Sequence, residues 1–243
     1  MKFFDRPFVV PAIFISIALI AGLAIVGWGI SARGQDNTIS VTGSASQEAM
    51  ADEATWTINV QRTAYEGTVA AGSTQVANDA NAIANYFSNK KLASSTVTVA
   101  TVSAYQNYSS DKNTPSNYNV STTVTVNTSD VNEINALSHD IGSLDAVVSA
   151  STLVSPQQPE YYISSLPALR ISLLGAAIQD AKARAEQIAK SGGSSVGPLE
   201  VASSGVVQVL SPNSTNVEDY GQYDTSTIKK EVMVTAHASF YVR

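Results

Sequence analysis

Residues 166–193 read LPALRISLLGAAIQDAKARAEQIAKSGG, and the helix this stretch forms between strand-like segments settles a mixed fold. Leu166, Leu169, Leu173, Ala177, Ala181, Ala185 and Ile188 recur at three- and four-residue spacing, which gathers them on one helix face. Ala177, Ala181 and Ala185 let that face lie close on a sheet. Asp180 with Arg184, and Glu186 with Lys190, stand four residues apart on the outside, where such pairs are ordinary solvated support. Gly192-Gly193 closes the helix, because glycine takes a left-handed cap at little cost.

A second apolar face, Val69, Val76, Ala80, Ile83 and Phe87, predicts another long helix, and a shorter one is expected over residues 130–141 with Ser129 as N-cap. Strand spacing is clearest in Tyr118, Val120, Thr122, Val124 and Val126, and again in Val232, Val234, Ala236, Ala238, Phe240 and Val242. Each set offers one apolar strand face. Weaker alternation marks Ile39 and Val41, then Trp56, Ile58 and Val60, then Val97 and Val99. Short strands are expected near residues 146–153, 161–163 and 199–202. The polar stretches at 107–119 and 211–227 read as long loops carrying tyrosines, the first of them a hairpin loop.

The N-terminus is of another kind. Residues 8–30, FVVPAIFISIALIAGLAIVGWGI, hold no charge, and as a helix they would reach about 34 Å, enough for a hydrocarbon core of about 30 Å. Lys2 and Arg6 precede the run, which favours a cytoplasmic N-terminus and an exported C-terminus. Residues 1–33 are therefore read as a cytoplasmic stub and transmembrane signal anchor, and 34–243 as an extracytoplasmic domain, periplasmic or extracellular. A cleaved signal peptide is the competing reading, though Ser31-Ala32-Arg33 is a poor site and the apolar run is long for one.

The chain has no cysteine, which removes disulfides and thiolate chemistry. Setting aside Lys2, Asp5, Arg6 and Arg33 leaves 11 basic and 19 acidic residues, a formal charge of −8. Neither nucleic acid nor anionic lipid is expected as the main partner of such a surface.

Three stretches together resemble the SIMPL domain family of exported bacterial proteins, which includes periplasmic immunogens and oxidative-stress-defence relatives. Ile39-Ser-Val-Thr-Gly-Ser-Ala, followed by Asp52 and Ala54, is similar to the family's V-x-G-x-G opening strand, with a departure at Ser44-Ala45 where a second glycine is usual. The run from Ala176 to Gly193, then Val196-Gly-Pro-Leu, is similar to its A-x-x-D-A-x-x-K-A-x-x-x-A-x-x-x-G-x-x-x-G helix and turn, with Arg184 at the basic position. Residues 231–242 match its closing strand. The resemblance implies an α+β architecture: after the N-terminal transmembrane helix, a domain of mainly antiparallel sheet packed by two long helices and one shorter helix. It also implies action outside the cytoplasm and, in some relatives, assembly into oligomers.

A search for chemistry yields little. His139 and His237 are the only histidines, and no H-x-H or H-x-x-x-H spacing accompanies them. Ser44 follows Gly43 without the second glycine of a nucleophile elbow. Glu218-Asp219 lies in a loop. No catalytic, cofactor-binding or metal-ligating residue is assigned, and neither an enzyme nor a cofactor is expected. The leading expectation is a membrane-anchored envelope protein acting by self-assembly and contacts with envelope protein partners, linked to envelope or oxidative stress. An extracytoplasmic small-ligand-binding module is the alternative, and an unrecognised hydrolase the third.

Overall fold

A computed structural model describes residues 9–31, 37–108, 116–214 and 220–243, and in the first of these segments it describes the side chains of 14–25. Helix α1 runs over Val9–Ser31, and strands β1 (Thr38–Met50) and β2 (Glu53–Tyr65) come after it. Next come α2 (Val69–Lys90), β3 (Thr96–Val99), β4 (Ser103–Asn107), β5 (Asn117–Thr128), α3 (Val131–Ser138) and α4 (Ile141–Asp145). The chain then forms β6 (Leu153–Pro156), β7 (Glu160–Tyr162), α5 (Leu166–Ser191), β8 (Val196–Leu210) and β9 (Lys229–Val242).

The strands form two antiparallel sheets. One has the order β1-β9-β8; the other has the order β3-β5-β2-β6, with β4 also on β5 and β7 also on β2. The class is α+β. Only Ala51 and Asp52 separate β1 from β2, so the chain turns a corner there and passes from one sheet to the other.

Each sheet has its own helix. The face of α2 made by Val76, Ala80, Ile83 and Phe87 is buried in one cluster with Trp56, Ile58 and Val60 of β2 and Val120, Val124 and Val126 of β5. Trp56 meets Phe87 edge-on with ring centroids 5.7 Å apart, and its indole N–H donates to the Gln157 carbonyl at 2.8 Å. Helix α5 buries Leu173, Ala177, Ala181, Ala185 and Ala189. Val232 and Val234 of β9 share a cluster with Leu173, and Ala238 and Phe240 share another with Ala181 and Ala185. One buried residue per turn, mostly alanine, makes this the tighter of the two helix-on-sheet contacts.

Several expectations need correction. Residues 146–152 are turn and coil, and the strand there is Leu153–Pro156, because Asp79 on α2 draws the amide and hydroxyl of Ser149 and the hydroxyl of Thr152 into a turn. The shorter helix is α3 followed by the separate α4, and Asp130 rather than Ser129 stands at its N-cap. Ser129 instead donates to the Ala93 carbonyl at 3.2 Å. Ile188 is 53% exposed, since the four-residue spacing of the buried alanines runs on to Ala189. Glu186 meets Lys182 at 3.8 Å rather than Lys190. The hairpin at 107–119 holds, with Asn107 paired to Asn117, while 109–115 and 215–219 lie outside the described residues.

Helix α1 occupies the apolar N-terminal run, and its described side chains, 14–25, are all exposed. No helix among the described residues is long and apolar enough to cross a membrane. Lys2, Arg6 and Arg33, on which the reading of orientation rests, fall outside the described residues.

Candidate functional site

The two sheets meet at a polar junction built by the corner after β1, the turn before α5 and the segment entering β9. Asp52, at the corner, accepts from the Ser164 amide at 2.7 Å and the Ser164 hydroxyl at 2.6 Å. Burial raises the pKa of this carboxyl, but the two Ser164 bonds together with the Asp52 amide outweigh it and hold the group below the usual carboxylate value. The Ile163 amide donates to the Tyr223 phenol oxygen at 2.9 Å, and the Tyr223 ring lies 5.8 Å from that of Tyr162.

Residues 222–228 strap the halves together through the backbone. The Gln222 carbonyl accepts from Val209, Thr225 from Tyr161 and Ile228 from Ala51, each at 2.8 Å. Beneath the strap lies Lys230, fully buried on the face of β9 that also carries Val232 and Val234. Its ammonium donates to the Asp224 carbonyl and stands 5.7 Å from the Tyr223 ring centroid. Burial pushes its pKa down, partly opposed by the Asp224 carboxylate. The Asp224 carboxyl is raised by burial and lowered further by Ser226, Lys230 and Ser211, ending below its ordinary value.

Buried in this way, the amine fixes the strap against β9 through its bond to the Asp224 carbonyl. A lysine whose folded pKa lies below its unfolded value of about 10.4 binds fewer protons folded than unfolded, so its contribution to stability rises with pH between the two values. The methionine variant Lys230→Met removes the charge at similar volume. It should be less stable than the parent at neutral pH, because the Asp224 carbonyl loses its donor, and the gap should widen as pH climbs toward about 10.4 in denaturation curves taken across the alkaline range.

The second constellation joins α5 to the edge strand β1. Asp180 Oδ2 accepts from the Ser44 amide at 2.8 Å and from Arg184 Nε at 2.8 Å. The Ser44 bond, helped by Arg184 and opposed by burial, keeps this carboxyl below its usual range. A residue read from the sequence as half of a surface pair therefore also satisfies a backbone donor on a sheet edge. At the neighbouring Gly43, a Cβ would stand 2.1 Å from the Ala177 carbonyl oxygen and 2.4 Å from the Ala181 nitrogen. Only glycine admits the helix backbone at that distance.

The residues singled out in the sequence are not brought together. His139 ends α3 with Nδ1 2.7 Å from the Asn135 carbonyl, and His237 sits on the exposed face of β9 with Nδ1 2.8 Å from Thr42 Oγ1. Ser44 serves through its amide rather than its hydroxyl. Glu218 and Asp219 lie outside the described residues. Among the described residues no group of three or more His, Asp or Glu is placed to hold a metal ion.

The depressions are shallow and open. One of about 620 Å³ lies along α2 between Asn85, Tyr86, Asn89, Lys90 and Val147. Another, of about 530 Å³, reaches from Asp52 and Ser164 to Asn127 and Ser129.

The family model of SIMPL, described as a protein of unknown function (DUF541), matches residues 39–240. The chain belongs to the SIMPL family. The match begins at β1 and ends in β9, so this SIMPL domain takes in both sheets, the junction and the Gly43 contact. No curated protein matches the chain.

Proposed function

We propose that this SIMPL protein is a membrane-anchored component of the cell envelope whose extracytoplasmic part, residues 34–243, works without catalysis, by self-association and contacts with other envelope proteins. The anchor reading draws on α1, a 23-residue helix of apolar and small residues whose described side chains are all exposed. Lys2 and Arg6 ahead of it favour export of the domain on its C-terminal side.

The observation that carries the self-association is apolar exposure on the half built from α5 and the three-stranded sheet. Ile171 is 75% exposed and Ile188 53% on α5, while Leu199 and Val201 are exposed on β8. Strand pairing between copies is the weaker route. Asp180 occupies an amide of β1, and β8 carries Pro198, Glu200 and three breaks of register, all features that discourage edge-to-edge addition. Size-exclusion chromatography with light scattering on residues 34–243 should give a mass above the monomer, which the double variant Ile171→Glu/Ile188→Glu lowers. A strict monomer at every concentration would remove self-association. A role in envelope or oxidative stress is part of this reading and would show as sensitivity of a deletion strain to oxidants.

A small-ligand module is the second reading, favoured by the depression along α2, where Lys90 stands 5.4 Å from the Tyr86 ring centroid. Stabilisation of the protein by a specific envelope metabolite in a thermal-shift screen would support it over the scaffold.

A further inference from the structure

Helix α1 ends at Ser31 and the described chain resumes at Asn37. Six peptide steps separate them, so the two points lie no more than about 22 Å apart. Asn37 is tied into the fold at once, its carbonyl accepting from Val242 at 2.7 Å, and Thr38 pairs with Tyr241. Val196 pairs with Val242, and Ser195 exchanges backbone hydrogen bonds with Arg243 at 2.8 and 2.9 Å. The turn from α5 into β8, residues 191–195, therefore belongs to the same end of the three-stranded sheet. The other end, where Met50 pairs with Lys229, stands about 43 Å away along the thirteen steps of β9.

The end nearest α1 also differs in charge. Residues 37–38, 190–197 and 241–243 contain Lys190 and Arg243 and no acid, and in the link before them Arg33 and Asp36 offset each other, although the exported part as a whole carries −8. Both basic side chains are exposed, and Lys190 forms no ion pair among the described residues. Tyr241, two residues before Arg243, is 36% exposed. The half-charge of the α5 C-terminus opposes these two cations, but the Ser194 amide already engages the Ala189 carbonyl there, at 2.9 Å.

We infer that this end, carrying Lys190, Tyr241 and Arg243, is a membrane-docking surface that contacts anionic phospholipid headgroups and stands the domain upright on the bilayer. The inference rests on the reading of α1 as an anchor. The tether holds this end within reach of the headgroups, while the surplus of acid elsewhere turns the rest of the domain away from an anionic surface.

The absence of native cysteine permits a clean test on the full chain. Single variants Ser194→Cys and Met50→Cys, each bearing a donor fluorophore, are reconstituted in vesicles of phosphatidylcholine with and without phosphatidylglycerol that carry a headgroup acceptor dye. Energy transfer from the Ser194 position should exceed that from the Met50 position at least about twofold, in keeping with a length of about 43 Å. Phosphatidylglycerol should widen the difference, and Lys190→Glu/Arg243→Glu or added salt should narrow it. Equal transfer from both labels, stronger transfer from Met50, or indifference to charge reversal and salt would overturn the docking surface while co-flotation with vesicles persists. Failure to co-float would remove the anchor reading, and the inference with it.

Discussion

Replacing Gly43 by alanine should cost about 3 kcal/mol or more and should abolish folding when the replacement is valine. The new Cβ would lie 2.1 Å from the Ala177 carbonyl oxygen and 2.4 Å from the Ala181 nitrogen, and both are backbone atoms inside α5. No rotamer change relieves that overlap. The helix has to lift from β1, breaking the bond between the Ser44 amide and Asp180 and loosening the Ala181, Ala185, Ala238 and Phe240 cluster. Gly175→Ala provides the contrast in the same helix. A Cβ there meets nothing within 4 Å, so alanine should leave stability unchanged or raise it by up to about 1 kcal/mol. Urea denaturation of the variants beside the parent measures the difference. A Gly43→Ala protein as stable as the parent would mean that α5 does not pack on β1 at this distance.

Asp79→Ala should be the next most damaging change, at about 3 kcal/mol. Asp79 is 4% exposed, yet its carboxylate accepts from Gln75 at 3.1 Å, from the amide and hydroxyl of Ser149 at 3.2 and 3.0 Å, and from the Thr152 hydroxyl. Alanine would leave these donors without their acceptor at a place water reaches poorly. The Asp79→Asn variant keeps one acceptor oxygen and should recover part of the loss. Hydrogen exchange should locate the damage, with protection lost first over residues 146–156, which this carboxylate organises. If exchange rises uniformly instead, the turn is held by other contacts.

Both predictions turn on residues whose importance the sequence conceals. Gly43 stands in the family's opening-strand pattern, but why that place takes glycine shows only once the helix that lies on it is placed. Asp79 is one polar residue in an apolar helical face, with Ser149 and Thr152, which it binds, some seventy positions away. Asp180 looks like half of an i,i+4 pair because Arg184 is in view while Ser44, 136 residues distant, is not. Lys230 is harder still. Just ahead of the alternation that begins at Val232, it reads as the polar edge of a strand, and only the closure of the strap over it makes it buried.

What the sequence reads well is what depends on period alone. The buried faces of β2, β5 and β9 alternate as their residues do, and α2 buries Val76, Ala80, Ile83 and Phe87 as their spacing requires. Hydrophobic burial is set locally by which face a residue occupies, so these elements are legible without a fold. Two of the failures have a common cause. The expected strand near 146–153 and the cap at Ser129 were decided by hydrogen bonds that Asp79 and Asp130 accept from residues outside their own helices.

The amino-acid sequence by itself determined the helices and strands with strong periods, the α+β class, membership in the SIMPL family and an N-terminal helix of a different nature from the rest. Tertiary structure alone decided that β1 and β2, two residues apart, serve different sheets, and that Lys230 is buried under the strap joining them. The physical reason is range. Periodicity is written in neighbouring residues, whereas close backbone approach and the satisfaction of buried polar groups depend on partners that only folding brings within about 3 Å.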